Sequence, residues 1–178
     1  MKKIFTPLAL AALVFVAGCS KKNLDVKFDL NPKTVEFTVP VTTQSGDMTF
    51  VLNKLDYNLD SLAKANSISI SQIKSMKIAF IKLEIIDQNI ATNFDVVSWV
   101  EAYCKFDNQN ETKMAWKNPM PTDHSRSINL DLADVDLADD LKTSSAQVRI
   151  SGHTNAPIIN PIQMRATVRF NVIGRLIN

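Results

Sequence analysis

The sequence has 178 residues, of which 46% are hydrophobic and 21% are charged. This composition is typical of a folded domain, and it excludes a disordered tail, a collagen-like repeat and a membrane protein with many spans. The length fits one domain or at most a small pair.

Residues 1–18 predict a signal peptide. Lys2 and Lys3 form a short basic head, and an uncharged run from Ile4 to Ala17 follows it. A run of this length is too short to span a bilayer comfortably as a helix, and Pro7 interrupts it. A basic head followed by a short apolar run is the pattern of a segment that directs export and is then removed.

The apolar run ends in Val16-Ala17-Gly18-Cys19, which resembles the lipobox of bacterial lipoproteins, with Val16 where leucine is more usual. The resemblance implies cleavage before Cys19, a diacylglycerol on its sulfur and an acyl group on the new amino terminus. More than one acyl chain gives stable membrane attachment. In the sorting pattern of lipoproteins from enteric bacteria, an aspartate directly after the cysteine favours the inner membrane. Ser20 stands at that position, so the resemblance implies the outer membrane. The alternative is a secretory signal that ends in a chance cysteine.

After cleavage, we expect residues 19–24 to form a lipidated polar tether and residues 25–178 to form a single domain. Lys2 and Lys3 leave with the signal, so the 20 basic residues fall to 18, against 18 acidic ones. A nucleic-acid-binding surface needs a basic surplus, so a nucleic acid is not an expected partner.

The residue pattern of this domain predicts an all-β fold. We expect an antiparallel β-sandwich of about eight or nine strands, with one or two short helices in its connections. Apolar and polar residues alternate most clearly in the last predicted strand, from Ile162 to Val172. Similar patterns predict strands over residues 26–30, 35–41, 48–52, 76–86, 100–106, 113–117, 128–132 and 148–150. The four glycines leave few tight hairpins, so we expect longer loops and crossovers between the sheets.

Several local signals refine this fold. Pro40 limits the second strand to a sheet edge or ends its regular pairing. The apolar positions change parity near Phe80 and Ile81, which favours a β-bulge or a strand buried on both faces. The regions 58–66 and 136–142 predict short helices, and residues 67–73 favour a further short strand.

The sequence shows no catalytic, metal-binding or cofactor-binding motif. Ser71 and Lys74 have the spacing found in penicillin-recognising enzymes, but the companion motifs of those enzymes are missing. Cys104 is interpreted as a small buried hydrophobe, with His124 and His153 the only imidazoles that could activate it. The aspartates of residues 131–140 could attract calcium, but helix capping explains their positions without a metal.

Trp99, Glu101 and Tyr103 are the candidate ligand-binding residues. Alternation places all three on one face of a strand, opposite the apolar stripe Val100 to Phe106. Two rings beside a carboxylate can stack on a sugar and accept its hydroxyl groups. The alternative is that the rings pack under a loop or helix, or fill an edge of the core.

We therefore expect a non-enzymatic binding or scaffold role at the cell envelope, with the acyl chains on Cys19 attaching the domain to the membrane. The partner would be an envelope protein or a glycan. Three alternatives remain open: a glycan- or small-ligand-binding module, a hydrolase with an unrecognised site, and a subunit that polymerises through an edge strand.

Overall fold

A computed structural model describes residues 24–55, 59–88, 91–106, 111–143 and 146–176. They fold into two antiparallel sheets of five strands each, which confirms the predicted all-β sandwich. Residues 1–23, which include the predicted signal peptide and Cys19, lie outside the described residues. Within these ranges, no helix is long and apolar enough to cross a membrane.

The described ranges form ten strands and two short α-helices. They are β1 (Leu24–Asp29), β2 (Lys33–Val39), β3 (Gly46–Leu55), α1 (Leu59–Ala65), β4 (Ile73–Ile85), β5 (Val97–Phe106), β6 (Thr112–Lys117), β7 (Ser127–Asn129), β8 (Asp131–Leu132), α2 (Ala138–Thr143), β9 (Ala146–Thr154) and β10 (Ile162–Leu176). Sheet A holds β1, β2, β4, β7 and β10, and sheet B runs in the order β3-β9-β5-β6-β8.

The longest strand, β10, organises sheet A. β4 pairs along one side of β10, while β1 and β2 follow one another along its other side. The predicted alternation of β10 is confirmed, because its apolar side chains from Met164 to Val172 are buried between the sheets. β2 ends at Val39, just before Pro40, and pairs with β10 alone, as the prediction of an edge strand requires.

The predicted bulge in β4 is confirmed at a neighbouring residue. Arg169 pairs with Phe80 but Phe170 pairs with Ile78, so Ala79 is the extra residue. The bulge explains the change of parity in the sequence, because one inserted residue reverses the faces of the residues that follow.

Two predictions of strands were wrong. Residues 67–73 do not form a strand: Ile70–Gln72 is a 3-10 helix, and the Gln72 side chain accepts a hydrogen bond of 2.7 Å from the backbone N–H of Ser69. This local bond competes with strand pairing. The region 128–132 is not one strand but two, because the chain leaves sheet A after β7 and enters sheet B at β8. That division raises the strand number to ten.

The sandwich has two unlike ends. Leu24 pairs with Leu176 at one end of β10, where the described chain begins. Connections at residues 40–45, 91–96, 118–126 and 155–161 gather at the other, which we call the distal end, joined by backbone bonds such as Thr42 N to Ile158 O at 2.9 Å. Fifteen residues of β10 separate the two ends by about 45 Å.

Candidate ligand-binding face

Trp99, Glu101 and Tyr103 lie together on the surface of sheet B that faces away from the core. The intervening residues Val100 and Ala102 are buried between the sheets, so β5 alternates as predicted. All three outward side chains are half-buried. The two rings therefore do not belong to the hydrophobic core between the sheets.

Pairing of β5 with its neighbours brings a wider set of side chains onto the same surface. Trp99 pairs with His153, Glu101 with Ser151, and Tyr103 with Arg149 on β9. Asp47 and Thr49 of β3, and Lys113 and Trp116 of β6, join them by register. We call these residues, with Glu111 beside β6, the outer face of sheet B.

Glu101 is the centre of one polar cluster. Its carboxylate accepts hydrogen bonds from the Lys113 ammonium and from the Tyr103 hydroxyl. These two donors hold the pKa of Glu101 below its usual range, with Lys113 the larger cause. The same carboxylate raises the pKa of Tyr103, because it stabilises the protonated phenol. Glu101 is therefore an anion, and Tyr103 a neutral donor, at ordinary pH.

Arg149 forms the second cluster, against the ring of Tyr103. Its guanidinium carbon lies 4.2 Å from the ring centre, which is a cation–π contact. Nε and Nη2 of Arg149 donate to the two carboxylate oxygens of Glu111 at 2.8 and 2.6 Å, and Nη1 donates to Ser151. This two-point pairing lowers the pKa of Glu111 and fixes the guanidinium over the ring.

Trp99 forms the third cluster with His153. Their ring centres are 6.5 Å apart with an angle of 21° between the planes, so the rings are stacked. Nδ1 of His153 lies 2.7 Å from the Asp47 carboxylate on the edge strand. The carboxylate orients the imidazole, and the imidazole supports one side of the indole.

Each of the three clusters combines an aromatic ring with hydrogen-bonded polar groups. Their charged groups are paired with one another, so the face presents rings with fixed donors and acceptors between them. Each of the two imidazoles contacts a carboxylate, His153 on Asp47 and His124 on Asp95.

Two other candidate groups have structural roles. Asp136 accepts hydrogen bonds of 3.0 Å from the backbone N–H groups of Ala138 and Met76, which supports capping as the role of this acid. The described ranges contain no group of three or more His, Cys, Asp or Glu suited to a metal ion. Cys104 is only 6% exposed, and burial raises its thiol pKa to about 12, so it is the small buried hydrophobe predicted from the sequence.

Sequence reasoning missed Arg149, Lys113, Glu111, Asp47 and the stacking role of His153. Alternation could have placed Arg149 and His153 on the face of β9 opposite the buried Ile150. Only the pairing of β3, β9, β5 and β6 shows which side chains of neighbouring strands lie side by side.

No protein-family model matches the chain, and a search of curated proteins finds no similar sequence.

Proposed function

We propose that this chain is a non-enzymatic binding protein of the bacterial envelope, attached to the outer membrane through acyl chains on Cys19. Its ligand-binding surface is the outer face of sheet B. The membrane attachment is supported by the lipobox-like Val16-Ala17-Gly18-Cys19 after a signal-like segment. The binding role is supported by the geometry of sheet B.

The observation that carries the binding role is the concentration of aromatic and charged side chains on one sheet face. Trp99, Tyr103 and Trp116 share this face with Arg149 and Glu101. Trp, Tyr and Arg are the residue types that dominate binding energy at protein interfaces, since they offer large contact areas with fixed polar atoms. A protein partner in the envelope is the first candidate ligand.

A glycan is the second candidate ligand, and the spacing of the rings favours it. Trp99 and Tyr103 stand four residues apart on one strand, so they are separated by about 13 Å, with the Glu101 acceptor between them. Two rings at this spacing can stack on separate sugar units of one oligosaccharide. Arg149 and Lys113 already lie near the Tyr103 ring, so Trp99 offers the freer ring face.

Affinity capture of the full lipidated chain from gently solubilised native membranes tests the proposal. The eluate is analysed by mass spectrometry for proteins, lipids and glycans. The test variant is Trp99→Ala with Tyr103→Ala. The matched control is Phe80→Ala, which removes a half-buried ring from the outer face of sheet A.

We expect a ligand that is captured by the unchanged chain and by the control but is reduced at least tenfold with the double variant. A stoichiometric protein identifies a scaffold or complex subunit, and a retained glycan identifies the second candidate. Equal capture by all three chains would contradict the assignment of this face. Turnover of a substrate that a single side-chain change abolishes would overturn the non-enzymatic role.

The membrane attachment has its own test. Cys19→Ala removes the sulfur that carries the lipid, so we expect the variant to leave the membrane fraction on cell fractionation. Retention of this variant in the membrane at the level of the unchanged chain would disprove lipid attachment at Cys19.

A further inference from the structure

The strand β3 forms one edge of sheet B, and it is the longest edge of that sheet. Sheet B runs in the order β3-β9-β5-β6-β8, so β3 pairs with β9 on one side, and no other described strand pairs with it. The peptide groups that β3 directs away from β9 therefore have no strand partner within the described ranges. β3 has ten residues, whereas β8 at the opposite edge has two.

The other sheet edges carry features that prevent a further strand from adding to them. β7 and β8 are too short to pair with another strand, with three and two residues. β2 exposes Glu36 and ends just before Pro40, while β1 exposes a charged residue at every second position, namely Asp25, Lys27 and Asp29. Short length, charge and proline are the usual protection of edge strands.

β3 lacks this protection. The five residues from Met48 to Leu52 include no charged residue, proline or glycine. Val51 is 57% exposed on the outer face of sheet B, although it is a large hydrophobic residue. Met48 and Phe50 face the core but are only half-buried, because sheet B ends at this strand. A further strand beside β3 would cover these side chains and pair its peptide groups.

The same five residues are complementary to a second copy of themselves. When a strand pairs antiparallel with its own copy, core-facing residues stand opposite core-facing residues only if the twofold axis passes through a residue. With the axis at Phe50, Met48 pairs with Leu52 of the second copy, and Thr49 pairs with its Val51. The core-facing pairs are then apolar, and each outward pair joins two β-branched side chains, which suit a pleated surface.

The two neighbouring registers are less complementary. An axis at Thr49 pairs Asp47 with Val51, and an axis at Val51 pairs Met48 with Lys54. Each of these registers sets a charged residue opposite an apolar one. The axis at Phe50 is therefore favoured, since it pairs the whole uncharged run with itself.

We infer that two copies of this chain pair through β3, antiparallel, about a twofold axis at Phe50. The contact is the same in both copies, so it forms a closed pair and not a filament. The two B sheets, of five strands each, join into one sheet of ten. The pairing does not depend on the proposed ligand, but it places both outer faces of sheet B on one side, where they form a continuous surface.

The pair is compatible with the proposed attachment of both copies to one membrane. The twofold axis is perpendicular to sheet B, so sheet A of each copy lies on the side opposite the joined outer faces. Leu24 belongs to β1 in sheet A, so both chains enter the pair from that side. The strands of an attached pair then lie along the membrane surface, with the outer faces of sheet B directed away from it.

Co-capture of two differently tagged copies tests this inference. Both copies are expressed together as full lipidated chains, solubilised in a mild detergent and captured through one tag, and the amount of the second tag is measured. Sedimentation velocity gives the number of copies in the captured complex. We expect the unchanged chain to form complexes of two copies.

Two variants that place charges at the same positions make the test specific. Thr49→Lys with Val51→Lys sets lysines opposite one another in both outward pairs, so we expect co-capture to fall at least tenfold. Thr49→Glu with Val51→Lys sets a glutamate opposite a lysine in both pairs, so we expect co-capture equal to that of the unchanged chain. Both positions are exposed, so little packing is lost.

A third variant, Thr49→Glu with Val51→Glu, repeats the repulsion with the opposite charge and replaces the double-lysine variant if that chain does not fold. Co-expression of the double-lysine and double-glutamate chains should restore co-capture. Thermal unfolding monitored by circular dichroism confirms that each variant is folded. A detergent micelle shared by chance would hold all variants equally.

Several outcomes would overturn the inference. One is a single copy of the unchanged chain in the captured complex, alone or with another protein. Another is a complex of more than two copies. Equal co-capture of the double-lysine and the glutamate–lysine variants, whether retained or lost, would also contradict pairing about Phe50.

Discussion

The two faces of β5 perform different tasks, although their residues alternate along a single strand. The inward residues Val100, Ala102 and Cys104 are almost inaccessible and contribute to the core. The outward residues Trp99, Glu101 and Tyr103 are half-buried and contact side chains of neighbouring strands. The inner face determines whether the domain folds, while the outer face provides polar and aromatic groups that the core does not need.

The largest expected difference between the faces comes from placing a carboxylate on each. Ala102→Asp buries an unpaired charge, so we expect it to lower the free energy of unfolding by about 3–5 kcal/mol. Lys105→Asp places the same group on the exposed face of the strand, where a change within about 0.5 kcal/mol is expected. Urea denaturation measures both. Similar losses in the two variants would contradict this division of β5.

The reactivity of Cys104 gives a second large effect. Burial raises the pKa of its thiol from 9.0 to about 12, which lowers the thiolate fraction at pH 8 about a thousandfold. We expect iodoacetamide to modify Cys104 at least a thousandfold more slowly in the native protein than in urea. The rates are followed by mass spectrometry of the peptide that contains Cys104. Rapid native modification would place the thiol outside the core.

The pH dependence of Glu101 gives the smallest effect, because this cluster is partly exposed. The pKa of Glu101 is lowered in the folded state, so its contribution is present above the unfolded pKa, near 4.5, and is lost as pH falls through the folded value. Glu101→Gln removes that contribution. We expect the loss of unfolding free energy between pH 7 and pH 3 to be about 0.5–1 kcal/mol smaller in this variant.

Tyr103→Phe sharpens the measurement, since it removes one of the two hydrogen-bond donors to Glu101 and leaves Lys113. Its pH dependence should lie between those of the unchanged chain and Glu101→Gln. Identical curves for all three chains, measured by urea denaturation at each pH, would show that these donors do not stabilise the fold.

Local patterns in the sequence predicted the features that depend on local burial. The alternation of β10, the bulge near Phe80 and the shared face of Trp99, Glu101 and Tyr103 all follow from which positions are apolar. These features were predictable because a sheet with one buried face imposes period two on its strands.

Features that depend on distant pairing were not predictable from the sequence alone. Arg149 reaches Tyr103 because β9 pairs with β5, and the intervening 45 residues carry no signal for that register. The split at Leu130 was missed because a continuous apolar pattern does not show that a strand changes sheets. The open groove at the distal end was missed because three connections that are distant in the sequence line it, at residues 91–96, 118–126 and 155–161.

The pairing of β1 with β10 has a mechanical consequence under the proposed attachment through Cys19. A force that pulls on Leu24 away from the distal end, while the rest of the domain is held, acts along the axes of these two strands. The six paired positions from Leu24–Leu176 to Asp29–Asn171 then resist together in shear. They would not open one after another, as in peeling, so β1 is joined to sheet A in the arrangement that best resists a pull on Leu24.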